Sequence, residues 1–478
     1  MTIPSYDRLF IGGEWVEPAT DRKIEVVSPI DGQVIATVPE GTEADMDRAV
    51  AAARKAFDEG PWPRMTPAER AVYLKRIGEE VIKRIPAMSE AFTNEIGAPA
   101  AVSAAFHDNA RKMWEDSSTL YERFEFEEER SWPDGGTGKL IREPVGVTAT
   151  IIPWNGPVAT GSLKIGPALA AGCTVVFKPA PEGPVSVMML AEAFEAAGLP
   201  AGVVNVVPAG REAGQYLVEH PDVDKVSFTG STAAGRKIMA AVADRIGRVS
   251  LELGGKSAAI IADDVPLENV LPTLVFGGLA NSGQVCAALT RVLVPRGRQE
   301  ELVAAMVEAY RDIKVGDPRE SDVALGPLAA KRQQERVLDY IEIGKNEGAR
   351  IAIGGGVPAG LEEGCYVEPT IFADVTPDMR IAQEEIFGPV IAVMPYDTVD
   401  EAVDIANGTE YGLSGAVYAK DDSTAEAIAR RIRTGQIGVN NWGMCVTQPF
   451  GGYKQSGLGR EGNVEGLGAF LETKLIMY

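Results

Sequence analysis

Short apolar runs alternate with helical stretches from Val145 onward, and this alternation constrains the fold more than any other feature of the chain. The predicted strands are Val147–Ile152, Thr174–Lys178, Val203–Val207, Lys225–Phe228 and Val249–Leu253, and the predicted helices between them are Thr160–Ala171, Val185–Ala197, Glu212–Glu219 and Thr232–Val242. Strands joined through helices pair in parallel, and continuous apolar strands are typical of a sheet covered on both faces. We therefore expect the α/β class, with a doubly wound, Rossmann-like sheet that can bind a dinucleotide.

A second α/β block follows from about Glu252 to Asn440, and a mostly helical region precedes Val145. The segment Tyr121–Ile141 interrupts the pattern with five glutamates and then a turn, so it predicts a protruding hairpin whose glutamates we interpret mainly as a solvated face. The second block contains the predicted strands Ser257–Ala262, Arg291–Val294, Val390–Met394 and Gly415–Tyr418 and the predicted helices Gln299–Ile313 and Arg332–Glu347, and the clearest helices of the first region are Glu43–Phe57 and Pro67–Arg84.

Charge and residue counts exclude several classes of function. The 478-residue chain carries a net charge of −22, which disfavours nucleic acid and anionic membrane surfaces because both are polyanions. Its four cysteines are scattered without a CxxC pair, so we expect no disulfide framework and no metal site. With His107 and His220 as its two histidines, a Ser-His-Asp hydrolase is hard to build.

Two windows of about membrane-spanning length, Pro144–Leu163 and Asn269–Thr290, carry no charged residue. Prolines, glycines and polar residues interrupt both windows, so we predict buried α/β core in place of a transmembrane span. The first ten residues include Asp7 and Arg8 and show no apolar signal region. A cytoplasmic location is therefore expected.

Two motifs present a carboxylate and a thiol that can act together. The segment Val249–Ser257 carries Glu252 at the end of a strand-like run, before a Gly-Gly pair. The segment Asn281–Arg291 carries Cys286 on a loop of small residues. A thiol can attack a carbonyl carbon, and a nearby carboxylate can activate the water that resolves the thioester.

With Ile152–Pro157 upstream and Glu385–Val390 downstream, the chain resembles the NAD(P)-dependent aldehyde dehydrogenase superfamily over essentially its whole length. The four motifs occur in the family's order. The resemblance implies a cofactor-binding domain over residues 1–122 and 145–251, a catalytic domain over 252–443, and a β-hairpin oligomerisation arm over 123–144 and 461–478. It also implies self-association as a homodimer or homotetramer.

The resemblance implies a role for each of five catalytic candidates. Cys286 would be the nucleophile and Glu252 the base for deacylation. The oxyanion would accept hydrogen bonds from the Asn155 side chain and the Cys286 backbone N–H. Lys164 and Glu461 match positions that pass a proton outward. Two alternatives remain open. Asn155 can be a turn residue beside Gly-Pro, and Lys164 and Glu461 can be surface charges. The other three cysteines fit buried structural residues.

The first candidate for cofactor binding is the segment Phe228–Gly235, which follows a strand and opens a helix. Gly230 allows a sharp turn, and Ser231 can add a hydroxyl to the N–H groups that a helix N-terminus presents to a phosphate. The alternative interpretation of Ser231 is a helix cap. No GxGxxG motif occurs in this sheet, and the family uses this turn for the pyrophosphate.

Lys178, at the end of a strand, is assigned by the resemblance to the adenosine ribose, with a surface lysine as the alternative. NAD-preferring relatives often carry a glutamate three positions later, where this chain has Pro181 followed by Glu182. We therefore expect NAD as the main cofactor, with NADP also used. The remaining implied contacts are Glu385 at the nicotinamide-side ribose, Phe387 at the nicotinamide ring or in the core, Gln333 at the adenosine-side ribose, and Ile151, Trp154 and Leu253 elsewhere on the cofactor.

Small residues around Asn155 predict a roomy apolar tunnel and hence an aromatic or medium-to-long apolar aldehyde. They are Gly156, Ala159, Thr160 and Gly161, with Leu163 where relatives often place an aromatic residue and Trp442 and Met444 at the expected mouth. Glu252 favours a free carboxylic acid as the product, because CoA-acylating relatives typically lack this base. The alternative is a non-catalytic structural or binding protein with the same fold, which has little reason to retain this set of residues.

Overall fold

Four β-sheets organise residues 3–478, the part of the chain that the computed structural model describes. The strands are β1 (Leu9–Ile11), β2 (Glu14–Val16), β3 (Lys23–Val27), β4 (Val34–Pro39), β5 (Glu127–Ser131), β6 (Thr137–Pro144), β7 (Val147–Ile151), β8 (Thr174–Lys178), β9 (Val204–Val206), β10 (Lys225–Thr229), β11 (Arg248–Glu252), β12 (Ser257–Ile261), β13 (Leu289–Pro295), β14 (Arg350–Ile353), β15 (Thr370–Ala373), β16 (Val390–Tyr396), β17 (Gly415–Tyr418), β18 (Gly438–Val439), β19 (Gly457–Leu458) and β20 (Leu471–Met477).

The helices cover the sheets and carry the connections between them. They are α1 (Glu43–Asp58), α2 (Pro67–Ile96), α3 (Ala100–Ser117), α4 (Pro157–Ala171), α5 (Val185–Ala196), α6 (Arg211–Glu219), α7 (Thr232–Ala243), α8 (Leu271–Leu279), α9 (Gln299–Arg311), α10 (Lys331–Asn346), α11 (Arg380–Gln383), α12 (Val399–Asn407), α13 (Asp422–Ala429) and α14 (Asn463–Gly468). Short 3₁₀ turns lie at Trp62–Arg64, Leu120–Glu122, Leu267–Asn269, Ala280–Gly283, Arg296–Arg298 and Lys454–Ser456.

The first sheet has the order β19-β11-β10-β7-β8-β9-β1-β2. Its five central strands pair in parallel, and the chain reverses its direction of progress across the sheet between β7 and β10. This order confirms the predicted doubly wound sheet, whose ligand crevice lies at such a reversal. The antiparallel edge strands β1, β2 and β19 were not predicted, since each has only two or three residues.

The two faces of this sheet differ in chemistry. One face packs apolar side chains against α1, α6 and α7, and the other packs against α2, α4 and α5. The prediction of continuous apolar strands is wrong for β7, β10 and β11: their residues are largely buried, but polar side chains such as Thr148 and Ser227 alternate with apolar ones. The polar face is covered by α4 and the C-terminal segment, which supply buried polar partners of their own.

The second sheet has the order β14-β15-β16-β13-β12-β17-β18 and is parallel except for β14. It encloses the largest apolar core, which α8, α9, α10 and α12 help to form. The connection from α8 to β13 carries Cys286. This sheet therefore confirms the predicted second α/β block.

The predicted hairpin is present as β5 and β6, and the C-terminal strand β20 pairs antiparallel with β6 to complete a three-stranded sheet. Before β20, the two-residue strand β19 pairs with β11, so the C-terminal segment first returns to the edge of the first sheet. Two helix boundaries were wrong. Helix α4 begins at Pro157, three residues before the predicted Thr160. Helix α2 continues past Arg84 and through Pro86 to Ile96, where Gly97 ends it in the left-handed conformation. The bounds of the three domains stay a prediction.

Within residues 3–478, no helix is both long enough and apolar enough to cross a bilayer. The uncharged window Pro144–Leu163 forms β7 and the first half of α4, both buried. The same described residues contain no group of three or more His, Cys, Asp or Glu side chains placed to hold a metal ion.

Candidate active site

A cavity of about 620 Å³ opens beyond the carboxyl ends of β7 and β10, where the strand order of the first sheet reverses. It brings together residues that lie far apart in the sequence, including nine of the predicted site residues. The lining comprises Pro153, Trp154, Asn155, Arg211, Thr229, Gly230, Ser231, Thr232, Ala233, Arg236, Leu253, Gly254, Cys286, Arg332, Gln333, Arg336, Glu385, Phe387, Glu410 and Tyr411.

Cys286 is half-buried and follows a tight turn with unusual backbone geometry. Asn281 and Ser282 both adopt left-handed conformations, with φ of 50° and 56°. Such conformations cost about 1–3 kcal/mol for residues other than glycine and persist where the surroundings hold them. Here the Ser282 hydroxyl donates to the Gly326 carbonyl at 2.8 Å, which helps to fix the turn that presents the thiol.

Asn155 is tied to the same turn by two hydrogen bonds. Its side-chain amide donates to the Gln284 carbonyl at 3.0 Å, and the Asn281 side chain donates to the Asn155 carbonyl at 3.1 Å. Because a side-chain amide has two N–H groups, one donor of Asn155 remains for a group in the cavity that it shares with Cys286. Asn155 lies just past β7, as predicted. A role as a turn residue alone does not account for these two hydrogen bonds, because they join Asn155 to residues 129 and 126 positions away.

The Gly-Gly pair after Glu252 fits between two other motifs. A Cβ on Gly254 would lie 2.5 Å from a carboxylate oxygen of Glu385, and one on Gly255 would overlap the carbonyl oxygen of Cys286. The backbone N–H of Gly255 also donates to the Glu385 carboxylate at 3.0 Å. Glycine at both positions therefore allows the motifs around Glu252, Cys286 and Glu385 to meet.

The local environment disfavours ionisation of the thiol in the cofactor-free protein. Burial raises the pKa of Cys286 to about 12, and the negative charges of Glu385 and Glu252 act in the same direction. Backbone N–H groups of Ala287 and Cys286 oppose this shift, but less strongly. The resting group is thus a thiol.

Glu252 ends β11 and is only 3% exposed. Neither of its carboxylate oxygens has a hydrogen-bond partner among the described residues. Burial raises the pKa of Glu252 well above its usual value, the nearby Glu461 raises it further, and Lys164 and Arg460 lower it. A buried carboxyl group with free oxygens is suited to exchange a proton with a water molecule.

Lys164 and Glu461 are buried and form an ion pair with each other, so the alternative of surface charges is wrong for both. Lys164 projects from α4, and its ammonium also donates to the hydroxyl of Ser227 at 3.3 Å. The electrostatic effect of both groups on Glu252 places all three in one cluster.

In the cofactor half of the cavity, Gly230 and Ser231 connect β10 to α7. The Ser231 hydroxyl accepts a hydrogen bond from the Ala234 N–H at 3.3 Å, so it caps the helix as the alternative interpretation proposed. It also lines the cavity, where the first N–H groups of α7 and the helix dipole favour an anion.

Lys178 lies beneath α6 and is buried, which contradicts the surface alternative. A Cβ on Gly214 would lie 2.9 Å from its side chain, and its ammonium donates to the Pro179 carbonyl at 3.2 Å. Burial lowers the pKa of Lys178 to about 8, and Glu182 opposes that shift. Glu182 itself forms an ion pair with Arg332 of α10, across the cavity from the first sheet.

Glu385, Phe387 and Gln333 form the opposite wall. The Gln333 side chain donates to the Phe387 carbonyl at 2.8 Å, and the Phe387 ring meets Trp154 edge-on with centroids 5.6 Å apart. Burial raises the pKa of Glu385 to about 6. Of the other implied contacts, Leu253 lines the cavity, whereas Ile151 lies buried at the end of β7 beside Lys178.

Comparison with known proteins decides the family. The profile of the aldehyde dehydrogenase family matches residues 15–476. The chain belongs to the aldehyde dehydrogenase family. It is 42% identical to a geranial dehydrogenase from Castellaniella defragrans over 480 residues, which covers 100% of this chain and 99% of that protein.

Solved structures agree with this assignment. A Mycobacterium tuberculosis aldehyde dehydrogenase complexed with NAD+ superposes with a TM-score of 0.98 at 43% identity, covering 99% of this chain and 98% of that one. A variant of aldehyde dehydrogenase C from Pseudomonas syringae, complexed with NAD+ and octanal, gives a TM-score of 0.95 at 41% identity, covering 98% and 96%. The predicted resemblance and fold class are confirmed.

Several lining residues of this aldehyde dehydrogenase were not predicted. Arg332 and Arg336 flank Gln333 on α10, and Arg336 donates to the backbone carbonyls of Glu385 and Ile386. Residues four positions apart lie on the same face of a helix. The spacing of Arg332 and Arg336 on the predicted helix was therefore the sequence signal that could have placed both of them in the cavity.

One cysteine expectation for this aldehyde dehydrogenase was wrong. Cys173 and Cys365 are buried as predicted, but Cys445 is exposed because it lies in a loop after β18. In the same loop, Trp442 is buried against Phe276 with ring centroids 6.1 Å apart, whereas Met444 is exposed. Their contribution to a tunnel mouth stays a prediction.

Proposed function

We propose that this aldehyde dehydrogenase oxidises a medium-to-long apolar aldehyde to the free carboxylic acid with NAD+, using Cys286 as nucleophile and Glu252 as general base. One observation carries the proposal: Cys286 and Asn155 share a cavity with Glu385 and Phe387, and the free carboxyl group of Glu252 acts electrostatically on the same thiol. The family membership supports the reaction class.

In the acylation step, the Cys286 thiol gives its proton to water in the cavity as its sulfur forms a C–S bond to the aldehyde carbon, and the carbonyl oxygen becomes an oxyanion. The second N–H of Asn155 and the backbone N–H of Cys286 are the donors that stabilise this charge. Removing one such donor typically costs about 10²–10³ in rate, so the two bonds that hold Asn155 serve catalysis. When bound, NAD+ supplies the acceptor for the hydride that leaves the former aldehyde carbon.

In the deacylation step, Glu252 takes a proton from a water molecule as the water oxygen bonds to the thioester carbon. The C–S bond then breaks, and the acid and the Cys286 thiolate are released. The absence of hydrogen-bond partners on Glu252 among residues 3–478 leaves both oxygens available for this water. The buried pair Lys164–Glu461 then accepts the proton from Glu252.

The chain offers distinct groups for each part of NAD+. The turn at Gly230 and Ser231 receives the pyrophosphate, and Lys178 and Gln333 serve the adenosine side. Glu385 and Phe387 hold the nicotinamide side, with Ile151, Trp154 and Leu253 as further contacts. The aldehyde dehydrogenase structures with bound NAD+ support this choice of cofactor.

NADP remains a secondary cofactor in this proposal. Pro181 offers no carboxylate to repel a 2′-phosphate, and Arg332 holds the Glu182 carboxylate in an ion pair. We expect the ratio of kcat/KM for NAD over NADP to stay below about 10³, which is about 4 kcal/mol of discrimination. If the ratio is larger than this and Glu182→Gln lowers it, then Glu182 causes the discrimination against NADP.

The apolar substrate class rests on small residues beside Asn155. Gly156 and Leu163 are buried on or next to α4, and the ring of Phe106 lies 3.5 Å from the position of a Cβ on Gly156, whereas Gly161 packs against the buried ring of Phe177. An apolar wall of small residues accepts hydrocarbon chains without unpaired polar groups. The geranial dehydrogenase relative and the octanal complex support this class.

The arm supports self-association. Strand β20 lies at one edge of the three-stranded sheet, and Leu475, Ile476 and Met477 on it are exposed. Exposed apolar strands at a sheet edge are typical of protein interfaces. We expect a homodimer or homotetramer by light scattering during size-exclusion chromatography, and a monomer at micromolar concentration would refute this part of the proposal.

The proposal is tested with an aldehyde panel, each member assayed with NAD and with NADP by absorbance at 340 nm. We expect Cys286→Ser to keep cofactor affinity and to lose at least about 10³-fold in turnover, the scale for removal of a covalent nucleophile. The matched control is Cys445→Ser, because that exposed cysteine lies outside the cavity. Retained turnover in Cys286→Ser would refute the mechanism, and a wild-type chain inactive on every aldehyde would favour the non-catalytic alternative.

A further inference from the structure

Strands β10 and β11 carry a row of paired polar residues on one face of the first sheet. Their parallel register places Thr229 beside Glu252, Ser227 beside Ser250, and Lys225 beside Arg248. Paired residues in register project from the same face, and successive pairs lie about 7 Å apart along the strands. We call these six residues the polar ladder, and it spans about 13 Å from Glu252 to Arg248.

One end of the polar ladder is the general base, and the other end reaches the surface. Glu252, Ser250, Ser227 and Lys225 are all buried. The Arg248 side chain, in contrast, is 51% exposed and pairs with the exposed Glu472 of β20 at 2.6 Å. The ladder therefore connects the interior of the site to solvent at the opposite end of β10 and β11.

Hydrogen bonds link the middle of the polar ladder to the Lys164–Glu461 pair. The Lys164 ammonium donates to Ser227 at 3.3 Å, and the Lys225 ammonium donates to Ser250 at 2.7 Å. Serine hydroxyls both donate and accept, so each can pass a proton on. The two serines are neighbours across the strands, which places them within reach of a single bridging water.

The surroundings favour ordered water along this face. Among the described residues, the buried hydroxyls of Thr150 and Thr229 have no hydrogen-bond partner, and Thr150 pairs in register with Ser227. Buried hydroxyls without a protein partner are usually bonded to ordered water, because leaving them unpaired costs about 1–3 kcal/mol each.

Lys225 lies on this face and can change its charge near neutral pH. Burial lowers its pKa to about 8. The groups that act on it are the Cys173 thiol, Lys164, Glu461 and Arg248, and its ammonium lies 5.1 Å from the ring centre of Phe470. The neutral amine can therefore accept a proton from the interior and release it toward Arg248.

The reaction needs such an outlet. Oxidation of an aldehyde and hydrolysis of the thioester together follow RCHO + NAD+ + H2O → RCOO⁻ + NADH + 2 H+, so two protons leave in each turnover. A route that avoids the cavity around Cys286 keeps proton release from waiting for a bound ligand to leave that cavity.

We propose that the polar ladder is the proton exit of this enzyme, and that Lys225, Ser227 and Ser250 are the positioning residues that carry protons from the Glu252, Lys164 and Glu461 cluster to the surface at Arg248. The inference rests on the proposed function. No redox change occurs along the ladder: one O–H or N–H bond breaks at each step as the next forms, and the last proton passes to water.

The test separates acylation from proton release. Wild type, the double variant Ser227→Ala with Ser250→Ala, Lys225→Met and Lys225→Arg are mixed with NAD+ and aldehyde in weak buffer in a stopped-flow instrument. Absorbance at 340 nm reports NADH, and a pH-indicator dye reports protons. The matched control is Ser162→Ala, which removes an equally buried hydroxyl whose hydrogen bond stays within α4.

We expect the NADH burst of the double variant to match wild type within about twofold. Proton release and kcat should fall about tenfold, less than the roughly 10²–10⁴-fold contribution of a general base because Glu252 is retained. Added imidazole should restore kcat in the double variant, and Lys225→Arg should keep more proton release than Lys225→Met.

Unchanged proton release in the double variant would overturn the proposal, and so would an equal loss of burst and proton release, since that pattern indicates damage to acylation. If Lys225→Met does not fold, the double variant decides the outcome. If the ladder does not carry protons, the wild type will still show an NADH burst and Cys286→Ser will still lose turnover. If the proposed function is wrong, the wild type will show no burst and Cys286→Ser will not differ from it.

Discussion

Replacement of Glu252 by glutamine separates chemistry from folding unusually well. Neither carboxylate oxygen has a hydrogen-bond partner among residues 3–478, so the isosteric amide removes no bond to protein. Burial also raises the pKa of Glu252 above its ordinary value of 4.5. We therefore expect Glu252→Gln to change the free energy of unfolding at neutral pH by less than about 1 kcal/mol, or to increase it.

The stability difference should depend on pH with a definite sign. An acid whose pKa is raised on folding stabilises the folded state fully below its unfolded pKa, and that contribution is lost as pH rises through the folded pKa. Wild type should therefore lose stability relative to Glu252→Gln as pH rises above about 4.5. Thermal unfolding of both proteins at several pH values measures this difference.

The kinetic effect of the same change should be large. A general base contributes about 10²–10⁴ in rate, or about 2.7–5.5 kcal/mol at 1.36 kcal/mol per tenfold. We expect a burst of NADH near one equivalent per active site followed by a steady state slower by that factor. Because the base acts only when ionised, the wild-type steady state should rise with pH above the ordinary carboxyl range, and the variant should lose this dependence.

Rapid mixing with aldehyde and NAD+ across a pH series, followed at 340 nm, gives both quantities. Full steady-state turnover in Glu252→Gln would refute the role of the base. Loss of the burst together with an unchanged melting temperature would move the role of Glu252 from deacylation to acylation.

Three further results are expected. Asn155→Ala should slow the NADH burst itself by about 10²–10³, and an unchanged burst would exclude Asn155 from oxyanion binding. Alkylation of Cys286 by iodoacetamide in the cofactor-free enzyme, followed by mass spectrometry, should keep rising with pH beyond 9, because its pKa is about 12; a plateau by pH 8 would contradict this. Gly451→Ala places a Cβ 2.5 Å from a Glu252 oxygen and should slow deacylation at least about tenfold, whereas Gly443→Ala, with open space around it, should not; equal activity of both would refute the contact.

The parts of the fold that follow from local patterns were predictable. The strand over Thr174–Lys178 and the helices α5, α6 and α7 were placed within a residue or two, because apolar runs and glycine stops mark such elements locally. The passage of α2 through Pro86 was not predictable, since packing against the neighbouring helices decides whether a helix tolerates a proline.

The candidate site also has a part that was predictable from the sequence and a part that was not. Motif residues such as Cys286 and Glu385 lie in one cavity, as their shared resemblance predicts. The burial of Lys164 and Glu461 could not be predicted, because they lie 297 positions apart and meet only through the return of the C-terminal segment. The same holds for the ion pair of Glu182 with Arg332, which joins the loop after β8 in the first sheet to helix α10.

The late return of the chain to the first sheet has a consequence for biosynthesis. Three features around Glu252 come from residues 451–461: Gly451, whose Cβ position lies 2.5 Å from a Glu252 oxygen, the strand β19, and Glu461. A nascent chain can pair β7 to β11 and present Cys286 before these residues leave the ribosome, yet the environment of Glu252 is then incomplete. Hydrolytic turnover should therefore reach its full rate only after residues 451–461 have packed against the first sheet, and a chain that stops before residue 451 should release its thioester more slowly than the full chain.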